Sequence, residues 1–264
     1  MAGNDTLENK KITDHIVQWL DAYLGKSGLS GFVIGVSGGI DSAVTSCLCA
    51  KTGKSVLALN MPIHQVKDQV SRSLAHIEWL KKKFNNVNGS DVELSPVFDQ
   101  IKDSFPDTVQ DGMTMANTRS RLRMLTLYAF ASSHKMLVAG TGNKVEDFGV
   151  GFYTKYGDGG VDISPIADLT KTQVYALGKD LGIIEEILMA EPTDGLWEDN
   201  RTDESQIGAS YSELEWAMQY LDSSQKGPLN ERQKNIVAIY KKFHVANKHK
   251  MDPIPVCRIP ENLK

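Results

Sequence analysis

Residues 35–42 read Gly-Val-Ser-Gly-Gly-Ile-Asp-Ser, and this stretch decides the fold. The apolar run 31–36 leads into it and predicts a short buried β-strand. The small residues of 40–50 follow it and predict a helix that packs closely on that strand. A tight turn between a buried strand and a helix is the place where α/β proteins bind nucleotides, because ligands lie beyond the carboxyl ends of parallel strands.

The turn itself has the chemistry of a phosphate site. The Gly38-Gly39 pair permits positive φ and leaves the backbone amides unobstructed by Cβ atoms. A helix N-terminus favours an anion, and Ser37 and Ser42 add hydroxyl donors. The carboxylate of Asp41 would repel phosphate unless a divalent cation lay between them, so the motif predicts Mg²⁺ with a polyphosphate. An ordinary strand-to-helix turn is the alternative.

Bulk composition limits the class of protein. The chain has 264 residues, 41% hydrophobic and 23% charged, which is ordinary for one soluble α/β domain covering 1–264. A net charge of −4 argues against a non-specific nucleic-acid binder. No apolar run is long enough for a membrane span, and no secretory signal is visible at the start. We therefore expect a cytoplasmic protein in which the three cysteines, Cys47, Cys49 and Cys257, are small buried residues.

Strands and helices alternate along the chain. Apolar runs predict strands at 31–36, 55–60, 92–94 and 135–140, and helical spacing predicts helices at 12–24, 40–50, 70–84, 115–133, 172–181, 183–189, 212–221 and 229–248. This order predicts a doubly wound parallel sheet followed by a helical C-terminal part.

Two further segments offer ligand-binding groups. The string 140–146, Gly-Thr-Gly-Asn-Lys-Val-Glu, follows the fourth strand and ends in a carboxylate that could be a second metal ligand, although a plain loop is the alternative. The glycine-rich segment 151–162 carries Lys155 and Asp162, which suits a mobile lid over a charged ligand, with a solvated loop as the alternative.

Together these motifs resemble the ammonia-dependent NAD synthetases of the ATP-pyrophosphatase superfamily. The resemblance runs from Gly35 to about Lys250. It includes Asn117-Thr-Arg-Ser-Arg, Lys155-Tyr-Gly-Asp-Gly-Gly, Leu169-Thr-Lys, Glu191-Pro-Thr, Thr202-Asp-Glu and His249-Lys250. It implies an adenine-nucleotide α-hydrolase-like fold, a homodimer, Mg²⁺ as cofactor, and the ATP-dependent amidation of deamido-NAD with ammonia through an adenylated intermediate.

The resemblance also implies roles for individual residues. ATP would contact Gly35, Val36, Ser37, Gly38, Gly39, Ile40, Asp41, Ser42, Thr141, Lys171 and Thr193. Deamido-NAD would contact Asn117, Arg121, Lys155, Asp162, His249 and Lys250. The metal ligands would be Asp41 and Glu146, and the residues that support catalysis would be Asp41, Lys155, Asp162 and Lys171.

Spacing and charge favour some of these assignments. Asn117 and Arg121 share one helix face, while Arg119 and Arg123 share another and are interpreted as solvated or salt-bridged surface residues. Lys171 lies near a predicted helix start, where a cation is unfavourable unless an anion such as polyphosphate is bound.

The chain departs from the family pattern in two places. The segment between Glu146 and Phe152 is one residue longer than in many members. Asn60 stands where many members carry an arginine. Rival functions that share the phosphate loop are a glutamine-fed NAD synthetase, which needs a glutaminase domain, and a transfer-RNA-modifying enzyme, which needs a cysteine pair or a basic face. A non-catalytic nucleotide-binding regulator is the rival from another class.

Overall fold

The centre of the fold is a parallel four-stranded sheet. The structure is a computed structural model that describes residues 2–193, 195–197, 202–224 and 226–264, with side chains from residue 7 onward. The strands are β1 (Gly31–Gly35), β2 (Ser55–Asn60), β3 (Val87–Asp91) and β4 (Leu137–Val138), in the spatial order β3-β2-β1-β4. Val33 of β1 lies opposite Leu57 of β2 and Val138 of β4.

Helices surround this sheet and continue beyond it. They are α1 (Ala2–Ser27), α2 (Ile40–Lys51), α3 (Lys67–Lys83), α4 (Ser95–Ser104), α5 (Gly112–His134), α6 (Lys171–Leu181), α7 (Glu185–Leu188), α8 (Asp203–Ile207), α9 (Tyr211–Asp222) and α10 (Glu231–Met251). Short 3₁₀ turns occur at Asp107–Val109 and Glu261–Leu263, and a π-helical turn spans Val145–Val150. Within the described residues, no helix is both long enough and apolar enough to cross a membrane.

Both faces of the sheet are covered by helices. Phe32 and Ile34 of β1 point into an apolar cluster with residues of α1, α2, α3, α6 and α7. Val33, between them, points into the opposite cluster with residues of α4 and α5. Since neighbouring residues of a strand face opposite sides, this division confirms the predicted doubly wound arrangement. The β3-β2-β1-β4 order changes direction between β1 and β4, and a crevice opens there.

The C-terminal helices form their own apolar cluster. Leu214 and Ala217 of α9 pack with Ile236 and Tyr240 of α10, and Val150 of the π-helical turn joins them. The predicted helical C-terminal part is therefore present, and it reaches the segment that carries Glu146.

One predicted strand lies elsewhere. The sequence predicts the third strand at 92–94, but β3 spans Val87–Asp91 and the 92–94 segment only continues from it. β3 is an edge strand that pairs with β2 alone, so the polar Asn88 and Ser90 do not have to be buried on both faces. Apolar content is therefore a poor guide to this strand.

Two of the three cysteines are buried as predicted. Cys47 and Cys49 lie in α2 within the core, where burial raises the pKa of the Cys47 thiol to about 11 and raises that of Cys49 further. Cys257 is exposed in the C-terminal tail, so the prediction that all three are buried is wrong for it. The tail has Pro253 and Pro255 before Cys257 and Pro260 after it, and it extends away from the core.

A histidine lies inside the same core. His76 of α3 is fully buried, and its Nε2 lies 3.0 Å from the Oγ of Ser46. Burial lowers the pKa of His76 to about 4. Its imidazole is therefore neutral at pH 7 and packs in the core.

Candidate active site

A cavity of about 230 Å³ opens at the carboxyl ends of β1, β2 and β4. It is lined by ten of the eleven residues predicted to contact ATP: Gly35, Val36, Ser37, Gly39, Ile40, Asp41, Ser42, Thr141, Lys171 and Thr193. Glu146, the predicted second metal ligand, also lines it. The topology brings these residues together because the loops after β1 and β4 meet at the crevice.

The loop before α2 leaves backbone amides available. Gly39 is the N-cap residue of α2 and provides no side-chain cap. The hydroxyl of Ser42 accepts from the Ser37 amide at 3.1 Å and donates to the Gly39 carbonyl at 3.0 Å. The serine hydroxyls therefore shape the loop, while the first turn of α2 faces the cavity without a capping group, as anion binding requires.

Gly38, unlike its neighbours in the loop, is turned towards α3 and not towards the cavity. Its φ is +80°, and a Cβ there would lie 2.7 Å from the Gln69 carbonyl oxygen and 3.0 Å from the Ser73 amide nitrogen of α3. Only glycine accommodates both the backbone conformation and the approach of α3. Gly38 is thus needed for the shape of the loop and does not line the cavity.

Three charged side chains meet beside this loop. The Lys171 Nζ lies 2.5 Å from Oδ2 of Asp41 and 2.9 Å from Oε1 of Glu146. The exposed fractions of the three side chains are 5%, 17% and 16%, so the cluster is largely withdrawn from water. Lys171 is the first residue of α6, and the two carboxylates supply the negative charge that a cation needs at that position.

Burial and charge oppose each other within this cluster. Burial raises the pKa of Asp41 despite the nearby Lys171 ammonium. For Glu146 burial acts in the same direction, but Lys171 and the Tyr211 hydroxyl outweigh it and the pKa is lowered. Burial acts to lower the pKa of Lys171, and the two carboxylates outweigh it, so the pKa of Lys171 is raised. Lys171 is therefore charged at neutral pH.

Asn143 links the two carboxylates through the backbone. The side-chain Nδ2 of Asn143 donates to Oδ1 of Asp41 at 3.2 Å, and its side-chain Oδ1 accepts from the backbone amides of Val145 and Glu146 at 3.1 Å each. Glu146 lies in the π-helical turn Val145–Val150, and its carboxylate is directed at Lys171 beside the loop. The extra residue expected between Glu146 and Phe152 stays a prediction.

Tyr211 approaches the same carboxylate from α9. Its hydroxyl donates to Oε1 of Glu146 and also lies 2.9 Å from Oδ2 of Asp203. The Lys171 Nζ lies 4.6 Å from the centre of the Tyr211 ring, which is the geometry of a cation–π contact. Tyr211 is only 5% exposed, and burial together with Glu146 and Asp203 raises its pKa well above the ordinary value.

The donor set fits a divalent cation. Asp41 and Glu146 present carboxylate oxygens on either side of one ammonium, beside a loop suited to phosphate. Among the described residues, no group of three or more His, Cys, Asp and Glu side chains could hold a metal. Mg²⁺ commonly uses one or two carboxylates and completes its coordination with phosphate oxygens and water, so two carboxylates suffice.

A further carboxylate, Asp147, lines the cavity without a predicted role. Burial raises its pKa well above the ordinary value, and the nearby charges of Glu146, Asp158 and Asp41 raise it further. Its carboxylate occupies the space beside Gly142, where a Cβ would lie 2.1 Å from Oδ2. Gly142 is required for this packing, which explains the second glycine of the 140–146 string.

Most residues predicted on the deamido-NAD side lie together, outside this cavity. They surround the loop 153–158: Asn117 accepts from the Thr154 hydroxyl at 2.6 Å, and Arg121 lies 3.4 Å from the Lys155 carbonyl. The Lys155 Nζ donates to the His249 carbonyl at 2.6 Å, and the Lys250 Nζ donates to the Tyr153 carbonyl at 2.6 Å. The loop contacts both α5 and the C-terminal end of α10, so residues that are distant in the sequence lie close together around it.

Asp162 is separate from that group. Its Oδ1 accepts from the Tyr128 hydroxyl at 3.0 Å and its Oδ2 from the Val138 amide at 2.8 Å. Both carboxylate oxygens therefore tie the segment after the glycine-rich loop to β4 and α5. The predicted role of Asp162 in substrate binding and catalysis stays a prediction.

The interpretation of Arg119 and Arg123 as surface residues is wrong. Arg119 is buried, lies 4.6 Å from the centre of the Phe98 ring, and donates to the Leu196 carbonyl at 2.9 Å. Arg123 lines the cavity and donates to the Met61 carbonyl at 3.0 Å. The planar guanidinium groups are used to join segments, a structural role that helix periodicity alone does not reveal.

Asn143, Asp147 and Tyr211 belong to the site although no sequence motif predicts a role for them. Asn143 and Asp147 stand beside residues that were singled out, so their position next to Glu146 was the available signal. Tyr211 follows the capping residue Ser210 of α9, 65 positions after Glu146, and only the fold brings the two together.

Comparison with known proteins points to one family. The family model described as NAD synthase matches residues 12–252. The NH(3)-dependent NAD(+) synthetase of Mycoplasma genitalium is 39% identical over 246 residues, which cover 90% of this chain and 92% of that protein. An NMN synthetase from Francisella tularensis has a TM-score of 0.83 at 32% identity, covering 95% and 99% of the two chains. An NH3-dependent NAD synthetase from Campylobacter jejuni, in complex with the nitrate ion, has a TM-score of 0.77 at 26% identity, covering 95% and 99%.

Proposed function

The chain belongs to the NAD synthase family, and we propose that it makes NAD from deamido-NAD, ATP and ammonia, releasing AMP and pyrophosphate. The observation that carries this proposal is the meeting of Asp41, Glu146 and Lys171 beside the uncapped N-terminus of α2. Loop, carboxylates and ammonium together match the charges of a metal-bound triphosphate and of the pyrophosphate that leaves it.

The reaction needs activation of a carboxylate. Ammonia does not displace hydroxide from a carboxylate at neutral pH, because hydroxide is a poor leaving group. In the proposed first step a nicotinate carboxylate oxygen attacks the α-phosphorus of ATP, the bond to the β-phosphate oxygen breaks, and pyrophosphate leaves. In the second step ammonia attacks the carbonyl carbon of the adenylate, loses a proton and expels AMP, which carries away the former carboxylate oxygen.

The residues of the cavity would contribute by position and charge. The amides at the start of α2 would hold the leaving pyrophosphate, and the Lys171 ammonium would offset negative charge near the reacting phosphate. Asp41 and Glu146 would hold Mg²⁺, which when bound offsets phosphate charge and favours departure of pyrophosphate. No covalent bond to the protein is needed, so positioning and electrostatic stabilisation carry the rate.

The residues around loop 153–158 would bind the dinucleotide. Arg121, Lys155 and Lys250 supply positive charge, and Asn117 and His249 supply polar groups beside them. Positive side chains arranged in this way suit the diphosphate bridge of a dinucleotide. The nicotinate end would then enter the cavity beside the α-phosphate of ATP.

One assay tests the function directly. Purified protein is given ATP, Mg²⁺, deamido-NAD and ammonium, and NAD, AMP and ADP are quantified over time. We expect NAD and AMP in equal amounts and both to depend on ammonium. Formation of ADP in place of AMP, or NAD formation without ATP, would overturn the proposal.

A second candidate differs only in the nicotinate substrate. The structural likeness to the NMN synthetase of F. tularensis, at a TM-score of 0.83, favours nicotinate mononucleotide as an alternative acceptor. The chemistry at the carboxylate is the same, and the substrates differ in the AMP half. The ratio of kcat/KM for the two substrates decides between them, and Lys250→Ala should lower kcat/KM for deamido-NAD more than for the mononucleotide if the dinucleotide is the substrate.

The proposal also covers the oligomeric state, the cellular compartment and the cofactor. The chain would act as a single domain over 1–264 and as a homodimer in the cytoplasm, with Mg²⁺ as its cofactor. Light scattering at micromolar concentration tests the dimer, since a monomer mass would refute it.

A further inference from the structure

We propose that Tyr211 is a positioning residue that fixes the carboxylate of Glu146 for cation binding, and that Asp203 acts through it. The inference rests on the proposed function, in which Glu146 is a metal ligand. It assigns a role to the Thr202-Asp-Glu motif, to which the proposed function gives none.

The Tyr211 hydroxyl limits how the Glu146 side chain can lie. It donates to Oε1 of Glu146, the same oxygen that accepts from Lys171 at 2.9 Å. A glutamate side chain has three rotatable bonds, so without fixed partners its carboxylate could take several positions. Two donors on one oxygen select the rotamer that directs the carboxylate at Asp41 and the phosphate loop.

Tyr211 is itself held by the 202–204 motif. Its hydroxyl lies 2.9 Å from Oδ2 of Asp203, and its backbone amide donates to Oε1 of Glu204 at 2.9 Å. Thr202 caps α8 by accepting from the Ser205 amide at 3.1 Å. Thr202 therefore stabilises the short helix α8, Glu204 holds the Tyr211 backbone amide, and Asp203 contacts the Tyr211 hydroxyl. Together they hold Tyr211 in the position from which its hydroxyl donates to Oε1 of Glu146.

The C-terminal core completes the support. Tyr211 is 5% exposed and packs in the apolar cluster with Leu214 and Tyr240. A phenol that is buried and bonded at its hydroxyl cannot follow Glu146 if that side chain turns away. The Tyr211 hydroxyl thus couples the C-terminal helices to Glu146 beside the phosphate loop.

Metal binding gives a readout that folding alone does not affect. Partners that orient metal ligands commonly contribute 10–100-fold in metal affinity. The Kd for Mn²⁺ is measured by electron paramagnetic resonance in the presence of α,β-methylene-ATP, for wild type, Tyr211→Phe and Tyr240→Phe. We expect Tyr211→Phe to raise the Kd at least about tenfold. Tyr240→Phe removes a hydroxyl from the same buried cluster and should leave the Kd unchanged.

A double-mutant cycle tests whether Asp203 acts through Tyr211. Asp203→Asn alone should raise the Kd, and the double variant should bind Mn²⁺ no more weakly than Tyr211→Phe, since contributions that share one hydroxyl are not additive. Additive losses would overturn the role given to Asp203. Should Tyr211→Phe fail to fold, an unchanged Kd in Asp203→Asn would overturn the proposal by itself.

Glu146→Gln separates this inference from the proposed function. If Glu146→Gln weakens Mn²⁺ binding and Tyr211→Phe leaves the Kd within twofold of wild type, the positioning role is refuted while Glu146 remains a ligand. If Glu146→Gln leaves the Kd unchanged, the metal site of the proposed function is refuted instead.

Discussion

Replacing Lys171 by methionine removes the positive charge that contacts the two buried carboxylates of Asp41 and Glu146. Nζ lies 2.5 Å from Asp41 and 2.9 Å from Glu146, and the residue is 4% exposed. Methionine keeps a long unbranched side chain, so the change is chiefly one of charge. In Lys171→Met the carboxylates of Asp41 and Glu146 face each other without a counter-ion.

The size of the effect follows from this burial. Removing one partner of a buried ion pair costs about 3–5 kcal/mol, because the remaining charge has lost its solvent and its partner. For a chain of this length each kcal/mol lowers Tm by about 2–4 °C. We therefore expect Lys171→Met without ligand to unfold roughly 6–20 °C below wild type at pH 7.

Two further variants make the measurement specific. Lys144→Met removes an exposed ammonium 2.9 Å from Asp168, a pair whose side chains are 41% and 96% exposed, and it should change the free energy of unfolding by less than about 0.5 kcal/mol. The triple variant Lys171→Met, Asp41→Asn, Glu146→Gln removes all three charges, and most of the lost stability should return because no charge of this cluster stays buried.

Urea and thermal unfolding at several pH values decide the outcome. In Lys171→Met the two facing carboxylates raise each other's pKa in the folded state above the unfolded value, so stability should recover as pH falls and be lost as it rises. Wild-type stability in Lys171→Met would refute the reasoning. A triple variant as unstable as the single one would refute it too, since lost packing would then be the cause.

Three further predictions concern the loop, the core and the glycine-rich segment. Asp41→Asn should lower the rate of NAD formation by on the order of 10²–10³ without altering the circular dichroism spectrum. Burial lowers the pKa of His76 to about 4 from 6.5, so unfolding should become easier by about 3 kcal/mol as pH falls through this interval. Urea titrations of His76→Leu should lack this dependence, and an equal pH response in both proteins would contradict the assignment. Gly157→Ala would place a Cβ 2.2 Å from the Ser120 Oγ and displace the loop 153–158. Steady-state kinetics should therefore show kcat/KM for deamido-NAD reduced by a factor of about 5–150, which corresponds to about 1–3 kcal/mol of transition-state stabilisation.

The sequence could predict the parts of the site that depend on local chemistry. The twin glycines, Asp41 and the capless start of α2 are neighbours in the chain, so spacing alone predicts their geometry. Lys171 at a helix start was recognisable because its charge conflicts with the helix dipole, and the structure shows two carboxylates that resolve the conflict.

The parts that depend on long-range packing could not be predicted. Strand β3 is polar because it lies at the sheet edge, and edge position is a property of the whole topology. Arg119 is charged yet buried, because its guanidinium group packs on the Phe98 ring and donates to the Leu196 carbonyl, both from distant segments. Tyr211 meets Glu146 only after α9 has docked on the π-helical turn. No periodicity in a single segment contains that information.

Of the three cysteines, two are buried and one is exposed, so thiol-reactive reagents should label the folded protein at a single site. Thiolate is the species that reacts with maleimides, and burial keeps Cys47 and Cys49 protonated and out of reach, whereas Cys257 stands in the open tail. A fluorophore added to the folded enzyme should therefore attach at one position, a few residues after His249 and Lys250, without removal of any cysteine. Energy transfer between singly tagged copies could then report on self-association in solution.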